Sequence, residues 1–344
     1  MIRLLVIFIF VVIASKGFAQ GSGFSIVENK TQKQVDILYN NKLLTAYCYY
    51  DSSRKPILFP VNTTDGVTVT RGFPFQLVAG ERTDHPHHTG IWLNYESVNG
   101  LDFWNNSTAI APEKRDRYGT IVHEKLLEKS ATGNKALLVT SAKWLRPDGV
   151  ALLQDETHYD FRVSGNTFII DRSTRLTALD IPVLFKDVKD GFFAIRVARE
   201  LEQVSNEPSS YVDDKGNITP VAASGNDVTG LYHSSTGLKG DSVWGTKGKW
   251  AMLKGKKKGR EIAIGIIDHP ANPGYPAYWH ARGYGLFSIN PLGRKIFSNG
   301  TEELNLSLQP GQNVTFRYRV IIHSGTSLSA GEMEKFSKEF ERIK

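Results

Sequence analysis

The strongest constraint on the fold is a two-residue alternation of apolar side chains, cut repeatedly by short turn signals. Val35, Ile37 and Tyr39 alternate up to Asn40-Asn41, and Leu43, Thr45, Tyr47 and Tyr49 continue beyond. That period puts one apolar face on a strand. Asparagine tolerates positive φ, so the pair predicts a tight hairpin turn. Arg146-Pro147-Asp148-Gly149 joins 137–145 to 150–157, and Ser164-Gly165-Asn166 joins 158–163 to 167–176. Leu304, Leu306 and Leu308 lead through Pro310-Gly311 to Val314, Phe316, Tyr318, Val320 and Ile322. Repeated hairpins at short spacing predict an all-β chain, a large antiparallel two-sheet β-sandwich rather than a parallel βαβ sheet. One helix is expected, over 329–344. Ser329 and Glu332 fit a capping box, with Met333, Phe336, Phe340 and Ile343 at helical spacing behind them.

The 344 residues are 40% hydrophobic and 22% charged, which excludes collagen-like, coiled-coil and disordered chains. No solenoid or propeller repeat occurs. The stretch 206–226, rich in Ser, Asp, Gly and Asn, predicts a long surface loop rather than a domain boundary. Residues 1–19 read as an export signal: Arg3, an apolar run over 4–14, then small Gly17 and Ala19 before a cleavage point at Gln20. The run is too short for a typical span of about 20 residues, and no later stretch is long and apolar enough to span a membrane. A single sandwich domain over 20–344, periplasmic or secreted, is therefore expected. Cys48 is the only cysteine, so neither an intramolecular disulfide nor a lipid anchor after the apolar run is available.

The net charge of +7 has its densest piece at Lys254, Lys256, Lys257, Lys258 and Arg260, interleaved with Gly255 and Gly259. This reads as a solvated hairpin tip. No aromatic residue lies among these lysines to stack a base, so no nucleic-acid partner is expected.

Residues able to do chemistry concentrate in two segments. The first is Asp84-His85-Pro86-His87-His88-Thr89-Gly90, followed by Trp92, Asn94, Glu96, Asp102 and Trp104. Three of the nine histidines fall within it. Imidazole can move protons near neutral pH, bind metal or donate to a sugar oxygen. Pro86 predicts an extended His85, so His85 and His87 would share one face and His88 the other. The second segment is Asp268-His269-Pro270, then Trp279-His280-Ala281-Arg282. His233 and His158 stand alone. His-Glu-x-x-His, Gly-x-Ser-x-Gly and phosphate-loop motifs are absent. His85 and His87 could supply two ligands to a divalent metal, but their spacing alone defines no site, and no cofactor is expected. Cys48 lies in a Tyr-rich strand and reads as core. Trp and Tyr faces beside polar groups suit a pyranose ring, with its apolar CH faces and hydroxyl edges, so a small sugar or oligosaccharide is the expected ligand.

The run from Asp84 to Trp92, continuing through Val98-Asn99-Gly100-Leu101-Asp102-Phe103-Trp104, resembles the signature of an exported bacterial family labelled "methane oxygenase PmoA" or PmoA-like. Asp190-Gly191-Phe192-Phe193, Val243-Trp244-Gly245, Asp268-His269-Pro270, Trp279-His280-Ala281-Arg282 and Asn290-Pro291-Leu292-Gly293 are similar to later parts of it. The resemblance covers about residues 26 to 325. It implies a supersandwich like that of galactose mutarotase and a setting in sugar breakdown. The membrane subunit of particulate methane monooxygenase is a bundle of apolar helices, which this chain lacks after its leader, so that activity is not implied.

Two functions follow. One is an enzyme doing acid–base chemistry on a sugar: epimerisation, elimination or hydrolysis. His85 and His88 would move protons, and Asp84 and Asp102 would orient them or act as base. Glu96, His269, His280 and Arg282 would complete a polar wall. Trp92, Trp104 and Trp279 would stack the ring, with His87, Asn94 and His233 also binding. The other is a non-catalytic glycan-binding module. A metal-dependent oxygenase, as the label suggests, is a weaker third.

Overall fold

The computed structural model describes residues 22–220 and 228–343. The export signal expected at 1–19 and residues 221–227 of the expected loop lie outside the described residues. The chain forms two eight-stranded sheets in which every pairing between neighbouring strands is antiparallel. The first runs, edge to edge, Phe24–Asn29, Gln34–Tyr39, Lys42–Cys48, Ile57–Val61, Ile91–Tyr95, Gly191–Arg196, Leu286–Asn290 and Tyr278–Ala281. The second runs Leu231–Ser234, Trp250–Lys257, Arg260–Asp268, Asn313–Ser324, Thr167–Ala178, Ala151–Ser164, Lys135–Leu145 and Thr120–Thr132. The expected two-sheet antiparallel architecture is therefore present.

The turn chemistry works as the sequence predicts. Asn40 and Asn41 both take positive φ (49° and 61°) between strands Gln34–Tyr39 and Lys42–Cys48. Lys258 and Gly259 do the same (51° and 73°) at the tip of the lysine-rich hairpin. Residues 150–163 form one continuous strand, Ala151–Ser164, rather than two. One expected hairpin is absent. Leu306–Leu308 pairs with Val183–Phe185, whereas Asn313–Ser324 pairs with Thr167–Ala178 and Arg260–Asp268 in the second sheet. Pro310-Gly311 turns the chain, but the following strand has better partners on both sides.

Facing side chains from both sheets, among them Leu93, Phe193, Phe287, Trp279, Ile264, Phe316 and Tyr318, form one buried cluster. The C-terminal helix Ala330–Phe340 covers the outer face of the second sheet, placing Met333 and Phe340 against Ile169, Trp250, Ile267 and Ile321. Its Ser329–Glu332 capping box is formed as the sequence predicts, though the helix stops at Phe340 and Ile343 is exposed. With both faces covered, residues 262–267 within strand Arg260–Asp268 read as a continuous apolar run rather than an alternating one.

The outer face of the first sheet carries the candidate site. There a second buried cluster gathers Trp92, Trp104, Ala194, Tyr284, Leu286, Ile57, Phe59 and Cys48. Cys48 is core, as expected, and burial pushes its thiol up to about 12. Strand register puts Trp92 opposite Ala194, Ala194 opposite Ser288, and Ser288 opposite His280. Ala194 and Ser288 are fully buried in the middle of that row, and the Ser288 hydroxyl donates to the Gly191 carbonyl at 2.7 Å.

Candidate functional site

The histidine segment is a tight turn, not an extended strand. His85 has φ 43°, and its carbonyl accepts from the His88 N–H at 2.9 Å. A residue before proline normally avoids compact conformations. Here the buried Arg71 holds the turn. Its guanidinium donates to the carbonyls of His85 and His88, both at 2.9 Å, and to the Asp84 carbonyl at 2.8 Å and Oδ1 at 2.6 Å. As a result all three imidazoles bunch together. His85 stacks on His88 at 4.7 Å and on Tyr284 at 5.1 Å, and His88 stacks on Trp92 at 5.4 Å. The expected split, with His88 opposite His85 and His87, is thereby corrected.

Asp84 lies at the rear of this group. Arg71 and Arg196, both buried, each donate to its Oδ1 at 2.6 Å. Burial pushes the Asp84 carboxyl up, but Arg196, the neighbouring His85 and Arg71 outweigh it and hold it well below the usual carboxylate range. Its Oδ2 is 3.2 Å from His85 Nδ1, off the line of a hydrogen bond. Arg196 also lies 3.3 Å from His88 Nδ1. A guanidinium can only donate, so Nδ1 accepts and the His88 proton is on Nε2. Burial, followed by His87 and Arg196, pushes His88 well below its ordinary value, so it stays neutral. Its Nε2 is buried and has no protein partner.

The two chemistry-bearing segments meet at a cavity of about 240 Å³. It is lined by His85, His87, His88, Trp104, Asn105, Lys189, Asp190, Glu207, His280, Arg282, Tyr284 and Leu286. His280 is buried, with Nδ1 3.7 Å from Asp190 Oδ1. Burial, then Lys189, Arg282 and His85, pushes it down to about 3. Burial raises Asp190, against the opposing pull of Lys189, His85 and Arg282. Arg282 pairs with Glu207 at 2.8 Å and lies over the Tyr284 ring at 5.7 Å. Behind the histidines the buried Lys55 donates to the His87 carbonyl at 2.7 Å and sits 5.3 Å over Trp92, and burial brings its amine down to about 7.

Other expected residues support the cavity without lining it. Asp102 accepts from the Asn105 backbone at 2.9 Å and side chain at 2.8 Å, so it positions Asn105. The Asn94 amide donates to the Phe103 carbonyl, fixing the chain just before Trp104. Trp92 backs His88 from below. Glu96 accepts from the Asp190 N–H at 3.2 Å, and burial together with Asp190 raises it.

Three expected site residues belong elsewhere. His269 accepts from the Ala271 N–H at Nδ1 and contacts the Ile343 carbonyl at 3.0 Å through Nε2, edge-on to Phe340, so it pins the chain end. Trp279 points into the core against Phe287. Being one residue from His280 on a strand, it must face the opposite side. His233 lies on the edge strand Leu231–Ser234 of the second sheet. Sequence reading missed Arg71, Arg196, Lys189, Asp190, Asn105, Glu207 and Tyr284 as site residues. A lone arginine ending the apolar strand Gly191–Arg196 was the one available signal.

Among the described residues no three His, Cys, Asp or Glu side chains form a metal-binding group. The donor set explains this. The His85 and His87 rings meet edge-on at 74° with no third ligand grouped with them, and the His88 Nδ1 lone pair faces the Arg196 guanidinium. Asp84 is already held by two guanidiniums. These residues do not fit a metal centre.

The family whose model matches the chain is described as a family of unknown function, DUF6807, and it matches residues 34–338. No curated protein matches the sequence. Among solved structures, the chain is similar to the galactosidase domain of the alpha-galactosidase-sucrose kinase AgaSK at 12% identity and TM-score 0.44, covering 89% of this chain and 42% of that one. It thus spans less than half of that protein. A galactose mutarotase related enzyme from Lactobacillus acidophilus is similar at 10% identity and TM-score 0.31, with 88% and 98% covered. A GalM/aldose epimerase homologue from C. elegans is similar at 12% identity and TM-score 0.30, with 90% and 100% covered. At such scores the likeness carries no argument for activity.

Proposed function

The chain belongs to this family of unknown function, and from the chemistry of its pocket we propose that it is a carbohydrate-active enzyme that moves a proton on a bound sugar. The observation that carries this reading is the pairing of His85 with an ionised Asp84 at the wall of a small cavity that also holds Asp190. His85 is part-exposed, with its Nδ1 3.2 Å from Asp84 Oδ2. Because Nδ1 is buried beside that carboxylate, Nε2 is the ring nitrogen left to exchange a proton with a ligand. Asp190, raised by burial, supplies the complementary acid. The two carboxyls differ in setting: Arg196, His85 and Arg71 hold Asp84 low against its burial while burial raises Asp190, and such a separation suits one base and one acid. His88 Nε2–H, Asn105 and the Arg282–Glu207 pair would bind hydroxyl groups, and Trp104 and Tyr284 would face the ring. Epimerisation, elimination and glycoside hydrolysis all use this chemistry. We place the protein outside the cytoplasm on the leader read in residues 1–19.

The test is a panel of monosaccharides and glycosides, read for binding by ligand-observed NMR and for conversion by product analysis. Turnover by His85→Ala should fall about 10²–10⁴-fold while ligand affinity changes little. Unchanged turnover would remove His85 from the mechanism. Sugars that bind and are never converted would make the protein a glycan-binding module.

A further inference from the structure

The small cavity is not isolated. A cavity of about 660 Å³ adjoins it, and Glu207 and Arg282 line both. A cavity of about 590 Å³ also adjoins it, and Lys189 and Asp190 line both. Each flanking cavity is more than twice the size of the central 240 Å³. Through these shared residues the three form one trough, and its smallest part, which adjoins both of the others, holds the reactive groups.

The flanks differ in character from the centre. The first carries Trp244, which meets the buried Phe297 edge-on at 5.6 Å yet stays 38% exposed, an uncommon state for so large an aromatic side chain. Arg282 lies 5.8 Å over its ring, and the Asp241 carboxylate stands beside it, already accepting from Gln203 at 2.9 Å. An exposed aromatic face next to fixed polar groups is suited to a sugar ring, as in the central pocket. The second flank carries Ile296, 51% exposed, beside Glu96. A ligand confined to one ring would fill the centre and leave both flanks to solvent.

We propose that the natural ligand is an oligosaccharide of at least three units, whose middle ring occupies the histidine pocket while its neighbours lie on Trp244 on one side and on the Ile296–Glu96 surface on the other. This rests on the reading of the pocket as a sugar site and extends it to the class of substrate. A chain bound through its interior is attacked within its length rather than at an end.

The experiment is calorimetric titration of the full protein with a homologous series of mono-, di-, tri- and tetrasaccharides of whichever sugar binds. Affinity should rise at least about tenfold from one ring to three and level off afterwards. Trp244→Ala should remove most of the gain from the added rings and leave monosaccharide affinity within about twofold. Circular dichroism of that variant would confirm that the fold is kept. Equal affinity at every length, with the monosaccharide still bound, would overturn the trough and leave the central pocket standing. Failure of every sugar of every length would overturn the sugar reading and the trough together.

Discussion

At the scale of single residues, His280 shows how burial sets charge. Its imidazole is pushed down to about 3, first by burial and then by Lys189, Arg282 and His85. An unfolded histidine titrates near its ordinary value of 6.5. Between those values the unfolded chain takes up a proton that the folded His280 refuses, so stability falls as pH drops from about 6.5 toward 3. Denaturant titrations at pH 7 and pH 4 should therefore show a smaller acid loss in His280→Gln than in the parent. An equal loss in both would mean that other groups carry the effect. The identity of His85, His88 and His280 as candidates was legible because rare residue types clustered in short runs. Their arrangement was not. The turn at His85 is imposed by Arg71, whose carbonyl partners lie up to 17 residues away in sequence. Asp190 stands in a run noted only for its resemblance and Glu207 in a polar stretch, and only the fold carries them to the pocket.

At the scale of elements, local chemistry decided most outcomes. Asn40 and Asn41 adopt the paired positive φ values that a two-residue hairpin requires. A β-branched side chain resists that region, so Asn41→Val should cost about 1–2 kcal/mol, read as a lower denaturation midpoint with unchanged slope. No measurable change would mean that the turn can relax to another type. The capping box at Ser329 was legible for the same reason, since both partners lie within one turn. The expected hairpin at Pro310-Gly311 failed where local signals end. The turn residues fix a reversal of direction but not the partner, and Asn313–Ser324 gains two long neighbours by pairing across the sheet. The two sides of strand Tyr278–Ala281 illustrate the same limit. Trp279 and His280 look equally functional in sequence, and only the side on which the second sheet packs separates core from pocket.

At the scale of the whole molecule, the two sheets are held by a shared apolar interior in which Trp279 is fully buried. Trp279→Ala should therefore lower stability by about 3–5 kcal/mol while leaving sugar affinity of the folded fraction unchanged. A loss of affinity without a loss of stability would return Trp279 to the binding site. The alternation of strands and turns made this two-layer plan legible from the outset, because antiparallel hairpins must bury one face against another layer. The row Trp92, Ala194, Ser288, His280 across the first sheet has a further consequence. Ala194 and Ser288 are fully buried in its middle, so the reactive groups stand on a filled floor. Neither position can take a larger side chain without moving its neighbours, because Ala194 packs with Trp92 and Trp104 and Ser288 donates to the Gly191 carbonyl. Capacity for a larger or smaller guest is therefore set by the walls, by the segments that carry His85, Asp190 and Arg282, over a base that stays fixed.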